Sequence, residues 1–195
     1  MSRTKRLLII GGLSCAGKTR LIQRIRRGDC PHLCHQLGIG NPASWRFVNA
    51  SDVPRLEATA IERLVVHYNF YAKDFDARGP RRFADLDGLL RMSESATILT
   101  LFVQPEMLVR RSTSRIVKIL TSWLRNPTAY ARKTRILRKL WAKRTEYKDP
   151  SRVFARYDDW FDFVNQIDVA SHWLLDPASS DAEARPYAEQ IGAQV

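Results

Sequence analysis

Arg6-Leu-Leu-Ile-Ile-Gly11-Gly12-Leu-Ser-Cys-Ala-Gly17-Lys18-Thr19 decides how the rest of this 195-residue chain is read. Residues 6–11 form a short apolar run of strand type, and residues 20–27 place Leu21, Ile22 and Ile25 at helical spacing. The eight residues between, Gly12, Leu13, Ser14, Cys15, Ala16, Gly17, Lys18 and Thr19, complete the pattern G-x-x-x-x-G-K-[ST] in a strand–loop–helix context. Glycines let backbone N–H groups converge on an anion without side-chain obstruction. A helix starting in the loop turns its positive end toward the same point. In that arrangement Lys18 reaches the terminal phosphates of a nucleoside triphosphate, and the Thr19 hydroxyl joins the coordination shell of Mg²⁺. The stretch therefore predicts a site for ATP and Mg²⁺.

Gly11-Gly-Leu-Ser-Cys-Ala-Gly-Lys-Thr19 also resembles the loop of adenylylsulfate kinases, which typically reads G-L-S-G-x-G-K-S-T. More broadly it is similar to the P-loop kinases of small metabolites and nucleotides, such as shikimate, gluconate and nucleoside monophosphate kinases. The resemblance implies an α/β P-loop NTPase fold of three layers with a five-stranded parallel sheet. It also implies ATP-dependent phosphoryl transfer to a small anionic metabolite. In such kinases an excursion after the fourth strand closes over the nucleotide and presents arginines to the phosphate in transfer.

The strand candidates are residues 6–11, 45–50, 63–69, 96–103 and 172–176, all short and apolar, with helical stretches between successive ones. The helical stretches over 55–60 and 82–92 are the shorter ones. Such alternation argues for a parallel sheet covered on both faces. The tail reads as a loop over 177–181 and a closing helix over 182–190. One domain spanning 1–195 is expected, with a basic, lid-like helical segment over 105–166.

The net charge of +12 has one address. Residues 110–156 hold 15 Lys and Arg against Glu146 and Asp149 alone, and the remaining residues balance at −1. Periodicity predicts a helix over 105–125, broken by Asn126-Pro127, a second over 128–147, and a third after Asp149-Pro150. On the second, Tyr130, Leu137 and Trp141 fall on one side, and Arg132, Arg135, Lys139 and Lys143 on the other. This basic stripe is either a solvated face or a clamp for something polyanionic, with weak polyanion binding the expectation.

Ligands of open α/β sheets lie beyond the carboxyl ends of the strands. That rule selects Asn49 and Asp52 after the second strand, and His67, Tyr68 and Asn69 after the third, as acceptor-side residues. Asp52 is the expected base and metal-associated acid, or else a cap before Pro54. His67 is a second candidate base or phosphate ligand. Arg111 with Arg115, and Arg152 with Arg156, each one helical turn apart, are the expected phosphate-gripping arginines, or else surface ion pairs involving Asp159 or Asp162. No apolar strand ends in the acid of a Walker B motif: residues 98–103 lead into Gln104-Pro105.

Two rival readings remain open. One is a P-loop sulfotransferase, whose loop usually lacks the Gly-Lys-Thr ending. The other is a nucleotide-gated module whose basic helices bind nucleic acid or an anionic surface, with Trp123, Tyr130, Trp141 and Tyr147 available for stacking. Alternatively, those aromatics are simply the helices' packing faces.

Composition narrows the setting. With 45% apolar and 27% charged residues the chain reads as globular, and no apolar run approaches the roughly 20 residues that span a bilayer. The run 7–10 behind Arg3, Lys5 and Arg6 is too short for a secretory leader, so a cytoplasmic protein is expected. Three cysteines make no disulfide framework. Cys30-Pro-His32-Leu-Cys34-His35 is too compact to aim all four ligands at one zinc ion, and reads as a polar loop.

Overall fold

The computed structural model describes residues 4–55, 61–70, 84–91, 93–125, 130–167, 171–177 and 184–187. Two compact units divide the chain, one made of residues 1–102 and 161–195 and the other of residues 103–160.

The first unit is an α/β structure around a mixed, mostly parallel sheet. Its strands are β1 (Thr4–Gly12), β2 (Arg46–Asn49), β3 (Arg63–His67), β4 (Ser93–Leu101), β5 (Ser171–Leu175) and β6 (Ala184–Pro186), in the order β2-β3-β1-β4-β5-β6. The first five are parallel, while β6 runs antiparallel to β5 along the edge. Six strands rather than five, and a strand where 182–190 read as a helix, are the corrections to the sequence reading. Its Ala and Glu content favours helix, yet pairing of Ala184 with Leu175 and Pro186 with Trp173 overrides that local preference.

β1 is the central strand because both of its faces are covered. Leu7, Leu8, Ile9 and Ile10 are all buried, which a run without polar alternation requires. Its register sets Ile10 beside His67 of β3 and Gly12 beside Leu101 of β4. The chain winds from β1 outward to β2, back to β3, and then to β4 on the opposite side of β1. The carboxyl end of β1 therefore lies where the winding reverses, the place at which open α/β sheets bind ligands.

Helix α1 (Lys18–Arg27) follows the loop, burying Leu21 and Ile25 and ending at Gly28, whose φ of 76° suits the left-handed cap. Helix α2 (Pro31–Gln36) replaces the expected polar loop. Pro31 starts it where a missing N–H costs nothing. The N-cap Cys30 and Cys34 turn inward while His32 and His35 face out, so these four side chains do not converge on one ion. Burial, reinforced by the neighbouring Cys34, pushes the Cys30 thiol up to about 11, and burial raises Cys34 too. Helix α3 (Ala84–Arg91) occupies the described part of the stretch expected over 82–92. Of the helix expected over 55–60, only Arg55 lies within the described residues, where it ends a 3₁₀ turn, Ala50–Arg55.

The unit of residues 103–160 contains helix α4 (Pro105–Arg125), helix α5 (Tyr130–Tyr147) and most of helix α6 (Pro150–Asn165). α4 keeps the expected bounds, and α5 covers the described part of 128–147. α4 and α5 pack together, with Leu108, Ile116, Leu140 and Tyr147 buried. The Arg144 Nε–H donates to Thr113 Oγ1 at 2.8 Å, and the Val103 N–H donates to Tyr157 Oη at 3.2 Å. No described helix is long and apolar enough to cross a membrane.

Candidate functional site

The phosphate loop and the acceptor-side candidates of the first unit gather at the carboxyl ends of β1, β2 and β3. The loop after β1 is held in a conformation few sequences adopt. Gly12 has φ 149°, and a Cβ there would stand 2.9 Å from the Leu101 carbonyl oxygen, so only glycine fits. Cys15, with φ 70°, is the one described non-glycine residue in the left-handed region, and Gly17 follows with φ 105°. Left-handed residues at 15 and 17 alternate with ordinary ones at 14 and 16. Such alternation turns successive N–H groups toward one concave side, a geometry that suits an anion. Gly17 is also the N-cap of α1 and offers no side-chain cap to the helix's first N–H groups.

Lys18 is 3% exposed, and its Nζ donates to the carbonyl oxygens of Gly12 and Leu13, each at 2.7 Å. The ammonium thus lies folded across the loop that its own residue closes. Thr19, the next residue, is exposed.

β2 and β3 bring the second set together. Asn49 pairs in register with His67. Asn49 Nδ2–H donates to Asp52 Oδ2 at 3.0 Å, Ser51 Oγ–H donates to Asp52 Oδ1 at 3.3 Å, and His67 Nδ1 lies 3.1 Å from Asn49 Oδ1. Donor logic fixes the tautomer. A carboxylate only accepts, so the Asn49 amide must face Asp52 with its NH₂ and His67 with its oxygen. His67 Nδ1 therefore carries the proton, leaving Nε2 as the acceptor. Burial, and then the positive charge of Lys18, lower the His67 pKa from 6.5 to about 4, so the ring is neutral at physiological pH. That dependence on Lys18 is the electrostatic link between the loop and the Asp52–Asn49–His67 row.

Tyr68, by contrast, is buried against Phe70, with ring centroids 6.3 Å apart. Its N–H donates to Ile10 O and the Phe70 N–H to Gly12 O, so this segment extends the β1 edge and braces the loop. Asn69 lies between them, half-buried. The row was missed as a unit because its members come from two strands, and only the Asn49–His67 register aligns them.

The arginines expected to grip phosphate belong to the other unit. There Arg156 pairs with Glu146, and Arg152 Nε with Asp149 Oδ2 at 3.1 Å. Arg111 is half-buried and Arg115 exposed on α4. The acid missing after 98–103 has no replacement there: β4 ends at Leu101, and Gln104 is exposed. Among the described residues no three His, Cys, Asp or Glu side chains cluster as metal ligands.

A second histidine behaves like the first, without help from a neighbouring cation. His172 packs at a tilt beside Tyr187 (4.5 Å) and Phe161 (5.9 Å), which stack on each other at 4.9 Å, with Nε2 3.0 Å from Thr100 Oγ1, and burial alone lowers its pKa to about 4. Both rings bind protons more weakly folded than unfolded. Their stabilisation is complete above about pH 6.5 and is lost as pH falls through about 4. Urea titrations from neutral pH downward should show stability falling across that window. His172→Phe, which keeps the ring packing, should flatten the fall; an unchanged slope would exclude His172 as a source.

No family model matches this chain, and no characterised protein matches it in sequence, so the geometry of the residues themselves is what bears on function.

Proposed function

We propose that the chain is a phosphotransferase with the three-layer fold of P-loop NTPases, moving the terminal phosphoryl group of ATP to a hydroxyl of a small anionic metabolite. The observation that carries this reading is the buried Lys18 ammonium, folded on the carbonyls of a loop whose left-handed turns gather backbone N–H groups at the uncapped start of α1. Loop amides and Lys18 would hold the β- and γ-phosphates. His67 Nε2 would accept the proton of the acceptor hydroxyl as its oxygen forms a bond to the γ-phosphorus. The bridging oxygen's bond to that phosphorus breaks, and ADP leaves with the electron pair. Asp52 acts through Asn49 to keep His67 in the tautomer this step needs.

The donor set fits Mg²⁺, which takes few protein ligands beside phosphate oxygens and water. The exposed Thr19 hydroxyl would hold it directly. Asp52, both of whose oxygens already accept hydrogen bonds, would reach it through water. Bound Mg²⁺ supplies charge neutralisation for the oxygens of the phosphoryl group.

Phosphate anions drawn to Lys18 offset its charge at His67 and raise the ring's proton affinity, so the base strengthens as substrate binds. The test is a screen of anionic metabolites for acceptor-dependent ADP release. Release that requires Mg²⁺ and stops on chelation is the expected result. Nucleotide binding with no acceptor-dependent release across hydroxyl-bearing anions would overturn the reaction while leaving the nucleotide site standing.

A further inference from the structure

The large apolar side chains that stand exposed among the described residues all fall in the 103–160 unit: Val117 (51%), Leu120 (40%), Trp141 (58%) and Phe154 (39%). The same unit carries 15 Lys and Arg against 5 Asp and Glu. Trp141, read from sequence either as a stacking aromatic or as part of a packing face, stands in solvent with the Arg144 guanidinium 5.4 Å from its ring centroid.

Three of the four exposed side chains share one surface. Residues 126–129 alone separate α4 from α5, so the two packed helices run antiparallel. The Arg144–Thr113 hydrogen bond sets their register. Thr113, Val117 and Leu120 form one helical stripe, and Arg144, Trp141 and Leu137 form the facing one. At about 1.5 Å rise per residue, Val117 comes level with Trp141, and Leu120 with Leu137. Around this apolar strip stand the exposed Arg110 on α4, Arg138 on α5 and Lys148 in the turn that ends α5, the two arginines at helical steps that keep them beside it.

We propose that this α4–α5 face docks on the surface of an anionic lipid bilayer. Trp141, Val117 and Leu120 would settle at the boundary of headgroups and acyl chains, and Arg110, Arg138 and Lys148 among the anionic headgroups. The mixture of side chains is what favours lipid. Single-stranded nucleic acid needs successive aromatics for successive bases. This strip has one aromatic, and valine and leucine gain nothing from a base face. Protein interfaces are depleted in lysine, whereas the exposed Lys148 stands at the rim of this strip. A second copy would bring two strongly positive faces together. An indole beside aliphatic groups, rimmed by cations, matches the polarity profile of a bilayer interface.

Flotation of the full chain with vesicles is the test, comparing phosphatidylcholine alone with phosphatidylcholine plus phosphatidylserine at low and physiological salt. Anisotropy with a single-stranded oligouridylate runs alongside. The chain should float with the anionic vesicles at both salts, more weakly at the higher, and not with neutral ones. Arg138→Gln with Lys148→Gln should weaken this roughly 30-fold, at about 1 kcal/mol per cation. Trp141→Ala with Leu120→Ser should weaken it about tenfold or more. Lys18→Ala should float as the parent does, which separates this face from the nucleotide site. The wild-type comparison of anionic with neutral vesicles decides without any variant. Absence of flotation at physiological salt, equal flotation with neutral vesicles, or tighter binding to the oligonucleotide than to lipid would each overturn the proposal.

Discussion

Lys18→Ala should abolish the stabilisation of the fold by ATP with Mg²⁺. For the parent protein, ligand at 100 times its Kd adds about 2.7 kcal/mol to unfolding, a shift easily read by thermal or chemical denaturation. The variant lacks the charge that anchors the terminal phosphates and should show almost none of it. It should also be less stable without ligand by about 1–3 kcal/mol, because the Gly12 and Leu13 carbonyls lose the ammonium they share. Lys18→Met, which keeps the aliphatic stem, separates the charge from the packing. A third readout depends on neither. Since Lys18 helps hold the His67 pKa near 4, removing its charge should raise that pKa while burial still keeps it below 6.5. Titration of the His67 ring by NMR reads this directly. A retained ligand shift with an unmoved His67 would take the nucleotide away from this loop.

The second large effect concerns turnover. Asp52→Asn should leave nucleotide binding near that of the parent and lower kcat by roughly 10²-fold or more, the scale of a positioned base. The carboxylate only accepts hydrogen bonds, and that property sets the orientation of Asn49. An amide at position 52 can present either end, so Asn49 is free to turn and His67 to carry its proton on the wrong nitrogen. His67→Gln should lose at least as much, and combining the two should cost little beyond the larger single loss, because both act on one proton. Additive losses would mean that Asp52 works independently, as a metal-associated acid. Full activity in Asp52→Asn would leave it a structural member of the 3₁₀ turn Ala50–Arg55.

The strands and long helices were legible because periodicity reports them directly. Residues 105–125 were bounded by Asn126-Pro127, and β1 by its unbroken apolar run. What escaped depended on partners distant in sequence. β6 is too short to show alternation and exists only because β5 offers an edge. α2 announced itself through Pro31, but its cysteines and histidines drew attention to metal chemistry instead. A helical wheel placed Trp141 opposite the lysines correctly, yet it gives only angles. It does not say which side meets another helix, and the indole turned out to face solvent. At the candidate site every member of the Asp52–Asn49–His67 row was selected by the rule of strand carboxyl ends. Their hydrogen bonding was not, because the pairing of Asn49 with His67 follows from strand order rather than from local sequence.

Gln36 has a consequence for how the chain is made. Its carboxamide donates Nε2–H to the Ala184 carbonyl at 3.3 Å and accepts the Ala184 N–H at its Oε1 at 3.2 Å. One side chain thereby occupies both backbone groups of Ala184, the first residue of the edge strand, as part of a seventh strand would. A free edge of this kind is a template for pairing with other chains. The seal joins residues 148 positions apart, so it cannot form until position 184 has left the ribosome. During synthesis the β5 edge stays open behind an otherwise complete parallel sheet until β6 has been made, an interval in which it can pair with other chains.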